Sequence, residues 1–139
     1  MSHPPFHLAF PVTNLEAIRE FYVSVLQCSI GRESDRWIDF NFFGHQLTAH
    51  LDESMSSEMP VNCVDGHSIP ARHFGVILKW SDWDNLVERM KKLNIQFYVE
   101  PYIRFEGESG EQRTFFVQDP SLNYLEFKCF RDEKLIFEV

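Results

Sequence analysis

The stretch that decides the fold is "HFGVILKWSDWDNLVERMKKL", residues 73–93, in which a short apolar run is followed by a helical pattern. In its second part, apolar side chains recur at the 3.6-residue period of a helix with one buried face. Residues 7–28, "HLAFPVTNLEAIREFYVSVLQC", repeat this layout. At each predicted helix start, a hydroxyl residue is followed three positions later by an acidic one: Ser81 and Asp84, Thr13 and Glu16. Both stretches therefore predict a strand that leads into a helix.

After each predicted helix, the sequence alternates between apolar and polar residues, which is typical of strands with one buried face. Turn-forming residues separate three such segments in each half. The six segments span residues 29–34, 36–43, 45–51, 96–105, 112–118 and 123–130. The predicted fold class is therefore α+β, built as two tandem βαβββ modules.

We expect the 139 residues to form a single domain, because a chain of this length can bury one ordinary core. Module one is assigned to residues 5–51 and module two to residues 72–131. The polar segment between them, residues 52–71, is interpreted as a loop-like linker that also covers a cleft. Residues 132–139 form a C-terminal tail.

Composition argues against two classes of partner. The chain carries 13 Lys and Arg against 21 Asp and Glu, a net charge of −8, which disfavours binding to a nucleic-acid backbone. No apolar run approaches the roughly 20 residues of a membrane-spanning helix, and the N-terminal segment does not resemble a secretory signal. Three widely separated cysteines fit reduced thiols better than disulfides. We therefore expect a cytoplasmic protein whose partner is a small molecule.

Strand alternation predicts which polar side chains share a face of the sheet. In residues 73–78 and 123–130, one set of alternate residues is apolar and faces the helix, so His73 and Glu126 face the opposite side. The same parity in module one places four residues on the inward face: His7, Ala9, Thr48 and His50. The concave face is therefore where we expect the functional side chains.

A two-fold βαβββ chain with a histidine at the head of each first strand and a glutamate in the last strand resembles the vicinal oxygen chelate superfamily. The segments that carry the likeness are "HLAFPV", "HFGVIL" and "DPSLNYLEF", and the resemblance extends over residues 5–130. The superfamily includes glyoxalases, extradiol dioxygenases and bleomycin resistance proteins. The resemblance implies a curved mixed sheet around a metal-lined cleft, with His7, His73 and Glu126 as the metal ligands. It also implies a homodimer.

Two neutral imidazoles and one carboxylate can hold a divalent metal ion and leave coordination positions open. We expect one divalent ion per site, and the residues do not distinguish Fe(II), Mn, Ni and Zn. Such an ion is a Lewis acid that stabilises enolate or catecholate charge on a substrate with vicinal oxygens. The resemblance thus implies a metal-dependent lyase, isomerase or dioxygenase. The alternative is a non-catalytic protein of the bleomycin-resistance type that binds a drug or metabolite.

Four further residues are candidates for catalysis or substrate contact. His50 is a fourth ligand, an acid/base group or a cleft-lining residue. Arg104 and Arg113 either meet a substrate carboxylate or phosphate in a bidentate contact or form surface ion pairs. Tyr124 is a candidate lining residue of an apolar substrate pocket.

Two departures from the family's patterns narrow the expected activity. Glyoxalase I-type members add a carboxylate from the last strand of the first half, and residues 45–51 contain no acid. The extradiol dioxygenase signature has a tyrosine where this chain has Phe116. Glyoxalase I proper and catechol cleavage are therefore both disfavoured within the superfamily.

Overall fold

A computed structural model describes residues 3–55 and 61–138 and confirms the α+β class. Strands and helices follow one another in the predicted order in both halves of the chain. The helices are α1 (Leu15–Glu20) and α2 (Trp80–Lys92). The strands are β1 (His7–Val12), β2 (Ser29–Glu33), β3 (Trp37–Phe42), β4 (His45–Leu51), β5 (Val61–Val64), β6 (His67–Pro70), β7 (Phe74–Leu78), β8 (Phe97–Arg104), β9 (Gln112–Gln118) and β10 (Tyr124–Phe130).

The two four-stranded sheets have the same topology, which confirms the tandem repeat. Their strand orders are β1-β4-β3-β2 and β7-β10-β9-β8. In each sheet the first strand of the module pairs in parallel with the last strand, and the remaining pairs are antiparallel. A parallel pair requires a long connection between its strands, and here the helix and the two other strands supply it.

Residue contacts group the chain into two compact units. The first unit comprises Met1–Glu58 and Asp119–Asn123, and the second comprises Met59–Gln118 and Tyr124–Val139. The short segment between β9 and β10 therefore belongs to the first unit. There the Tyr22 hydroxyl donates a hydrogen bond of 3.0 Å to Asp119 Oδ2, and both residues are buried.

Helix α1 starts one residue later than the sequence pattern predicts. Asn14, not Thr13, is the N-cap, because its side chain accepts a hydrogen bond from the main-chain N–H three residues further on. The Thr13 N–H instead donates to Ser121 Oγ at 2.9 Å, so Thr13 is used in a tertiary contact. After Glu20 the chain continues as a π-helical turn, Phe21–Val25, rather than as the predicted α-helix.

Helix α2 starts before its predicted cap. Lys79 is the N-cap residue, and Ser81 lies inside the helix. The packing of Trp83 accounts for this position, because its side chain is buried and its Nε1–H donates to the Phe127 carbonyl at 2.9 Å. This contact fixes the first turn of α2 on β10.

The predicted apolar stripes are confirmed where the helices meet the sheets. Ile18 and Tyr22 in the first unit and Trp83 and Met90 in the second are buried. Burial of each such side chain contributes about 2 kcal/mol to folding. Leu93, which the helical spacing of residues 83, 86 and 90 predicts as the last member of the second stripe, is 44% exposed because α2 ends at the residue before it.

Burial along β10 confirms the predicted strand parity. Leu125, Phe127 and Cys129 are fully buried on the side of the sheet that faces α2. Glu126 and Lys128 alternate with them and remain partly exposed on the opposite side. The face with Glu126 is called here the open face of the second sheet.

Residues 61–70 correct the prediction that the whole of residues 52–71 is loop-like. They form an antiparallel hairpin of β5 and β6. Its turn, Asp65 and Gly66, has φ values of 51° and 81°, the positive values that a tight hairpin turn of the I′ type requires. The flanking segments, "VNCV" and "HSIP", are too short and too polar to predict strands by alternation.

The helices and the cysteines bear on two expectations from composition. Within residues 3–55 and 61–138, no helix is long and apolar enough to cross a lipid bilayer. Cys28, Cys63 and Cys129 are all free thiols, and Cys63 alone among the three is exposed. Burial raises the pKa of the Cys28 thiol to about 12, so it stays protonated and inert at neutral pH.

The parallel pairing of β7 with β10 depends on a glycine. Gly75 lies opposite Glu126 in the register. A Cβ atom built on Gly75 would overlap the main-chain carbonyl of Glu126, so the two strands approach more closely than any other residue type at this position permits. This close approach sets the position of Glu126 relative to the start of β7.

We expect Gly75→Ala to destabilise the protein by about 3 kcal/mol, because the added methyl group forces two paired backbones apart. The measurement is urea unfolding followed by circular dichroism. Gly31→Ala is the matched control, because a Cβ there meets its nearest neighbour, Asp39 Cβ, at 3.5 Å, an ordinary contact distance. Equal stability changes for the two variants would contradict this account of the strand pair.

Candidate functional site

The start of β7 and the middle of β10 bring together two predicted metal ligands. His73 immediately precedes β7, and its Nε2 lies 3.3 Å from Glu126 Oε1. Both side chains are mostly shielded, with 28% and 17% of their surface exposed. The sequence places them 53 positions apart, and the parallel pairing of β7 with β10 makes them neighbours.

Further hydrogen bonds orient both members of the His73–Glu126 pair. His73 Nδ1–H donates to the Pro70 carbonyl at 2.9 Å, because a carbonyl oxygen can only accept. The Thr114 hydroxyl donates to Glu126 Oε2 at 2.6 Å. Nε2 of His73 and Oε1 of Glu126 therefore remain as the two atoms directed at each other. Metal-ligating histidines and carboxylates are commonly oriented in this way.

The pKa values of the pair shift in opposite directions. The hydrogen bond that His73 donates to Glu126 raises the pKa of His73, and the Pro70 carbonyl adds to this effect against the opposing effect of burial. Burial alone would raise the pKa of Glu126, but hydrogen bonds from His73 and Thr114 together lower it. Without a metal ion, the pair is thus a charged imidazolium and carboxylate at mildly acidic pH.

A small open pocket lies next to the pair. Its volume is about 180 Å³, and its polar lining residues are His73, Glu126 and Lys128. Lys128 lowers the pKa of both partners through its charge, although it is a minor cause in each case. On the other side, the Phe116 ring meets the His73 imidazole edge to face, with ring centroids 5.1 Å apart. The polar side of the pocket is therefore charged, and the Phe116 ring packs against one member of the pair that forms it.

His7, the third predicted ligand, belongs to the first unit. It is the first residue of β1, and its Nδ1 lies 2.8 Å from Gln46 Oε1 on β4. Among residues 3–55 and 61–138, no three His, Cys, Asp or Glu side chains come together as a group that could hold a metal ion. The structure therefore joins two of the three predicted ligands, and the role of His7 stays a prediction.

The matching face of the first sheet carries a different polar pair. Thr48 on β4 is the counterpart of Glu126 on β10. Each pairs with the residue two positions after the histidine of its module, Ala9 in the first and Gly75 in the second. Its hydroxyl donates to Asp39 Oδ1 at 2.6 Å. Asp39, on β3, is thus a carboxylate on this face that the inspection of residues 45–51 missed. His50 is exposed at the end of the same strand pair.

Arg104 and Tyr124 lie on the open face of the second sheet, the face that strand parity predicts for Tyr124. Arg104 Nε is 2.5 Å from Asp65 Oδ2, in the turn of the β5–β6 hairpin. The Tyr124 ring meets the Tyr98 ring edge to face, with centroids 4.9 Å apart. Both candidate residues are therefore on the same side of the sheet as Glu126.

Arg113 lies on the opposite side of the second sheet, against α2. Its guanidinium donates to Asp84 Oδ1 at 2.7 Å and to the Trp80 carbonyl at 2.9 Å. The guanidinium also stacks on the Trp80 ring, with 3.7 Å between Cζ and the ring centroid. The structure thus separates Arg113 from Glu126 and gives it a packing role between sheet and helix.

Three groups of the second unit that contact or adjoin the pair are absent from the candidate residues predicted from the sequence. They are the Thr114 hydroxyl, the Pro70 carbonyl and the Lys128 ammonium group. Strand parity would have found Lys128 as a site residue, because it shares a face with Glu126 at i+2. The other two depend on pairings between distant segments, and no sequence pattern signals them.

Two tandem βαβββ modules, each with a four-stranded mixed sheet, give the chain a glyoxalase-like fold. The family model of the Glyoxalase/Bleomycin resistance protein/Dioxygenase superfamily matches residues 5–127. The chain belongs to this superfamily, which confirms the resemblance. No curated protein sequence matches the chain significantly.

Solved structures agree with this assignment. A glyoxalase/bleomycin resistance protein/dioxygenase from Alicyclobacillus acidocaldarius is 37% identical, with a TM-score of 0.82 and 96% of each chain covered. The fosfomycin resistance protein FosX from Listeria monocytogenes is 16% identical, with a TM-score of 0.69 and coverage of 93% and 94%. A lactoylglutathione lyase from Agrobacterium tumefaciens is 15% identical, with a TM-score of 0.65 and coverage of 92% and 94%. The last two share the fold alone.

The opposite pKa shifts predict how the stability of metal-free protein depends on pH. The raised pKa of His73 gives stability that is complete below its unfolded value of 6.5 and is lost as pH rises through the folded value. The lowered pKa of Glu126 gives stability that is present above its unfolded value of 4.5 and is lost as pH falls through the folded value. The pair therefore stabilises the protein most between pH 4.5 and 6.5.

We expect the melting temperature of metal-free protein to fall less between about pH 6 and pH 8.5 in Glu126→Gln than in the wild type. Differential scanning calorimetry after chelation provides the measurement. Glu53→Gln, which changes an exposed carboxylate, is the control and should behave like the wild type. An identical pH response of wild type and Glu126→Gln would show that the pair is not ionised as described.

Proposed function

We propose that the protein is a divalent-metal-dependent enzyme that acts on a small substrate with vicinal oxygens, in a lyase, isomerase or dioxygenase reaction. The observation that carries the proposal is the oriented His73–Glu126 pair. His73 Nε2 and Glu126 Oε1 lie 3.3 Å apart, and Pro70 and Thr114 hold the other polar atom of each side chain. Superfamily membership supports a metal-dependent role for such a pair.

The donor set is chemically suited to the metal ion. A neutral imidazole and a carboxylate are ligands that Fe(II), Mn, Ni and Zn all accept. We assign His73 and Glu126 to the centre together with His7, contributed by this chain or by a second copy in a homodimer. When bound, the ion would supply Lewis-acid stabilisation of negative charge on the substrate oxygens.

The residues around the pair have separate tasks in this proposal. The Pro70 carbonyl keeps the proton of His73 on Nδ1, so Nε2 is free to act as a ligand. Thr114 holds one oxygen of Glu126, which leaves the other directed toward His73. The Lys128 ammonium group at the pocket adds positive charge where an anionic substrate oxygen would lie. His50 remains a candidate acid/base residue.

The second candidate function is a binding protein without catalysis, as in bleomycin resistance proteins. One observation favours it: among residues 3–55 and 61–138, the His73–Glu126 pair is not joined by a third His, Cys, Asp or Glu side chain to form a possible metal site. The two functions differ in their dependence on His73. A binding protein should keep its ligand affinity in His73→Ala, whereas the enzyme should lose metal and activity together.

Metal analysis tests the enzyme proposal directly. We expect protein prepared without chelator and incubated separately with Fe(II), Mn, Ni and Zn to retain about one equivalent of at least one metal per chain. His7→Ala, His73→Ala and Glu126→Ala should each lose that metal. His3→Ala removes an exposed histidine of the N-terminal segment and serves as the control. Less than about a tenth of an equivalent in the wild type would rule out the metal centre.

The hydrogen bond from Thr114 to Glu126 predicts an indirect effect on metal affinity. Thr114→Val keeps the shape of the side chain and removes the donor to Oε2, so we expect metal affinity to fall about tenfold. Competition with a fluorescent chelator gives the dissociation constant. Thr114→Ser retains a hydroxyl and should restore most of the affinity. Equal affinities for the valine variant and the wild type would show that this bond does not orient the ligand.

A further inference from the structure

The turn of the β5–β6 hairpin inserts a carboxylate between two donors of β8. Asp65 Oδ2 accepts a hydrogen bond of 2.8 Å from the Tyr102 hydroxyl. The same oxygen lies 2.5 Å from Arg104 Nε. Tyr102 and Arg104 are two residues apart on one strand, so both side chains lie on the open face of the second sheet. Asp65, Tyr102 and Arg104 are called here the hairpin latch.

The latch leaves one of its strong donors unsatisfied. Arg104 Nε is buried and has no hydrogen-bond partner, although it is in contact with Asp65 Oδ2. The distance shows that the charges are paired, but the Nε–H is not well aligned with that oxygen, which also accepts from the Tyr102 hydroxyl. A single oxygen of Asp65 faces both Arg104 and Tyr102. An oxyanion with two oxygens in the plane of the guanidinium would accept more hydrogen bonds from Arg104 than this one oxygen does.

The protonation and exposure of the three latch residues would allow another anion to replace the Asp65 carboxylate. The hydrogen bond from Tyr102 and the charge of Arg104 lower the pKa of Asp65, so its carboxylate is ionised at neutral pH. Burial and the neighbouring Asp65 raise the pKa of Tyr102 to about 12, so its hydroxyl stays a donor. The Asp65 side chain is 40% exposed, whereas that of Arg104 is 25% exposed. The anion is thus the accessible member and the cation the shielded one.

The hairpin that carries Asp65 covers the face on which the metal pair lies. Ile69 and Val64 of the hairpin pack against Phe116, Val99 and Tyr102 of the sheet. Phe116 in turn contacts the His73 ring, with ring centroids 5.1 Å apart. The Tyr98 hydroxyl also donates to the Ser68 carbonyl of β6 at 2.7 Å. A ligand group that displaced Asp65 would therefore lie between the hairpin and the open face of the sheet, on the same face as His73 and Glu126.

We propose that Arg104 and Tyr102 form an oxyanion-binding subsite, that Asp65 occupies it as an internal substitute in the free protein, and that the substrate carries a carboxylate or phosphate-type group. The statement that the bound oxyanion belongs to the substrate rests on the proposed function. The binding of the oxyanion itself does not require the metal. When the ligand's anionic group replaces the Asp65 carboxylate, the hairpin loses its contacts with Tyr102 and Arg104.

Anion titration of metal-free protein tests the subsite separately from the metal centre. Inorganic phosphate and acetate are added to chelated protein, and binding is followed by chemical-shift changes of the main-chain amides of residues 61–69 and 102–105, which every variant retains. We expect Asp65→Asn to bind at least one of these anions five- to tenfold more tightly than the wild type, because the internal competitor has lost its charge. Asp52→Asn, a loop carboxylate paired with Ser54 in the first unit, is the control.

Double variants identify the groups that bind the anion. Asp65→Asn with Tyr102→Phe removes one hydroxyl and should lose the gain in affinity, and Asp65→Asn with Arg104→Gln should abolish binding. Hydrogen exchange of the hairpin amides gives a second measurement: anion should accelerate exchange at residues 61–70 in the wild type. Faster exchange in Asp65→Asn without a gain in anion affinity would overturn the proposal and leave the latch as a structural ion pair. So would retention of binding after loss of Arg104.

Discussion

The close pairing of β7 with β10 is the constraint on which the second unit depends. Gly75 has no side chain, so the carbonyl of Glu126 occupies the space where a Cβ would lie. The parallel register that follows puts His73 beside Glu126 and buries the opposite face of β10 against α2. The fold and the site therefore both require the close approach of β7 and β10. Gly75, which permits this approach, lies two residues after the candidate ligand His73.

The β5–β6 hairpin connects the parts of the site that the sheet alone does not. Its last residue, Pro70, supplies the carbonyl that orients His73. Its turn places Asp65 on Tyr102 and Arg104, and Ile69 packs on the sheet between these two contacts. The hairpin therefore contacts His73 through its last residue and two donors of β8 through its turn.

The two modules have the same topology but different chemistry at equivalent positions. Glu126 in the second module corresponds to Thr48 in the first, where the carboxylate is supplied by Asp39 on the neighbouring strand. In the same register, Ala9 corresponds to Gly75. The repeat therefore preserves the strand order, while the close backbone approach and the histidine–glutamate pair belong to the second module.

The sequence by itself determined the two βαβββ modules, the buried stripes of the helices and the faces of the strands, because periodicity reports directly which side chains are buried. Strand parity also placed His73 and Glu126 on one face, and the resemblance to a family predicted them as metal ligands. Only the tertiary structure decided that residues 61–70 form a hairpin, that Thr114 and Pro70 orient the pair, and that Arg113 faces the helix. These features depend on hydrogen bonds and ion pairs between segments far apart in the chain, and local sequence patterns carry no information about such pairings.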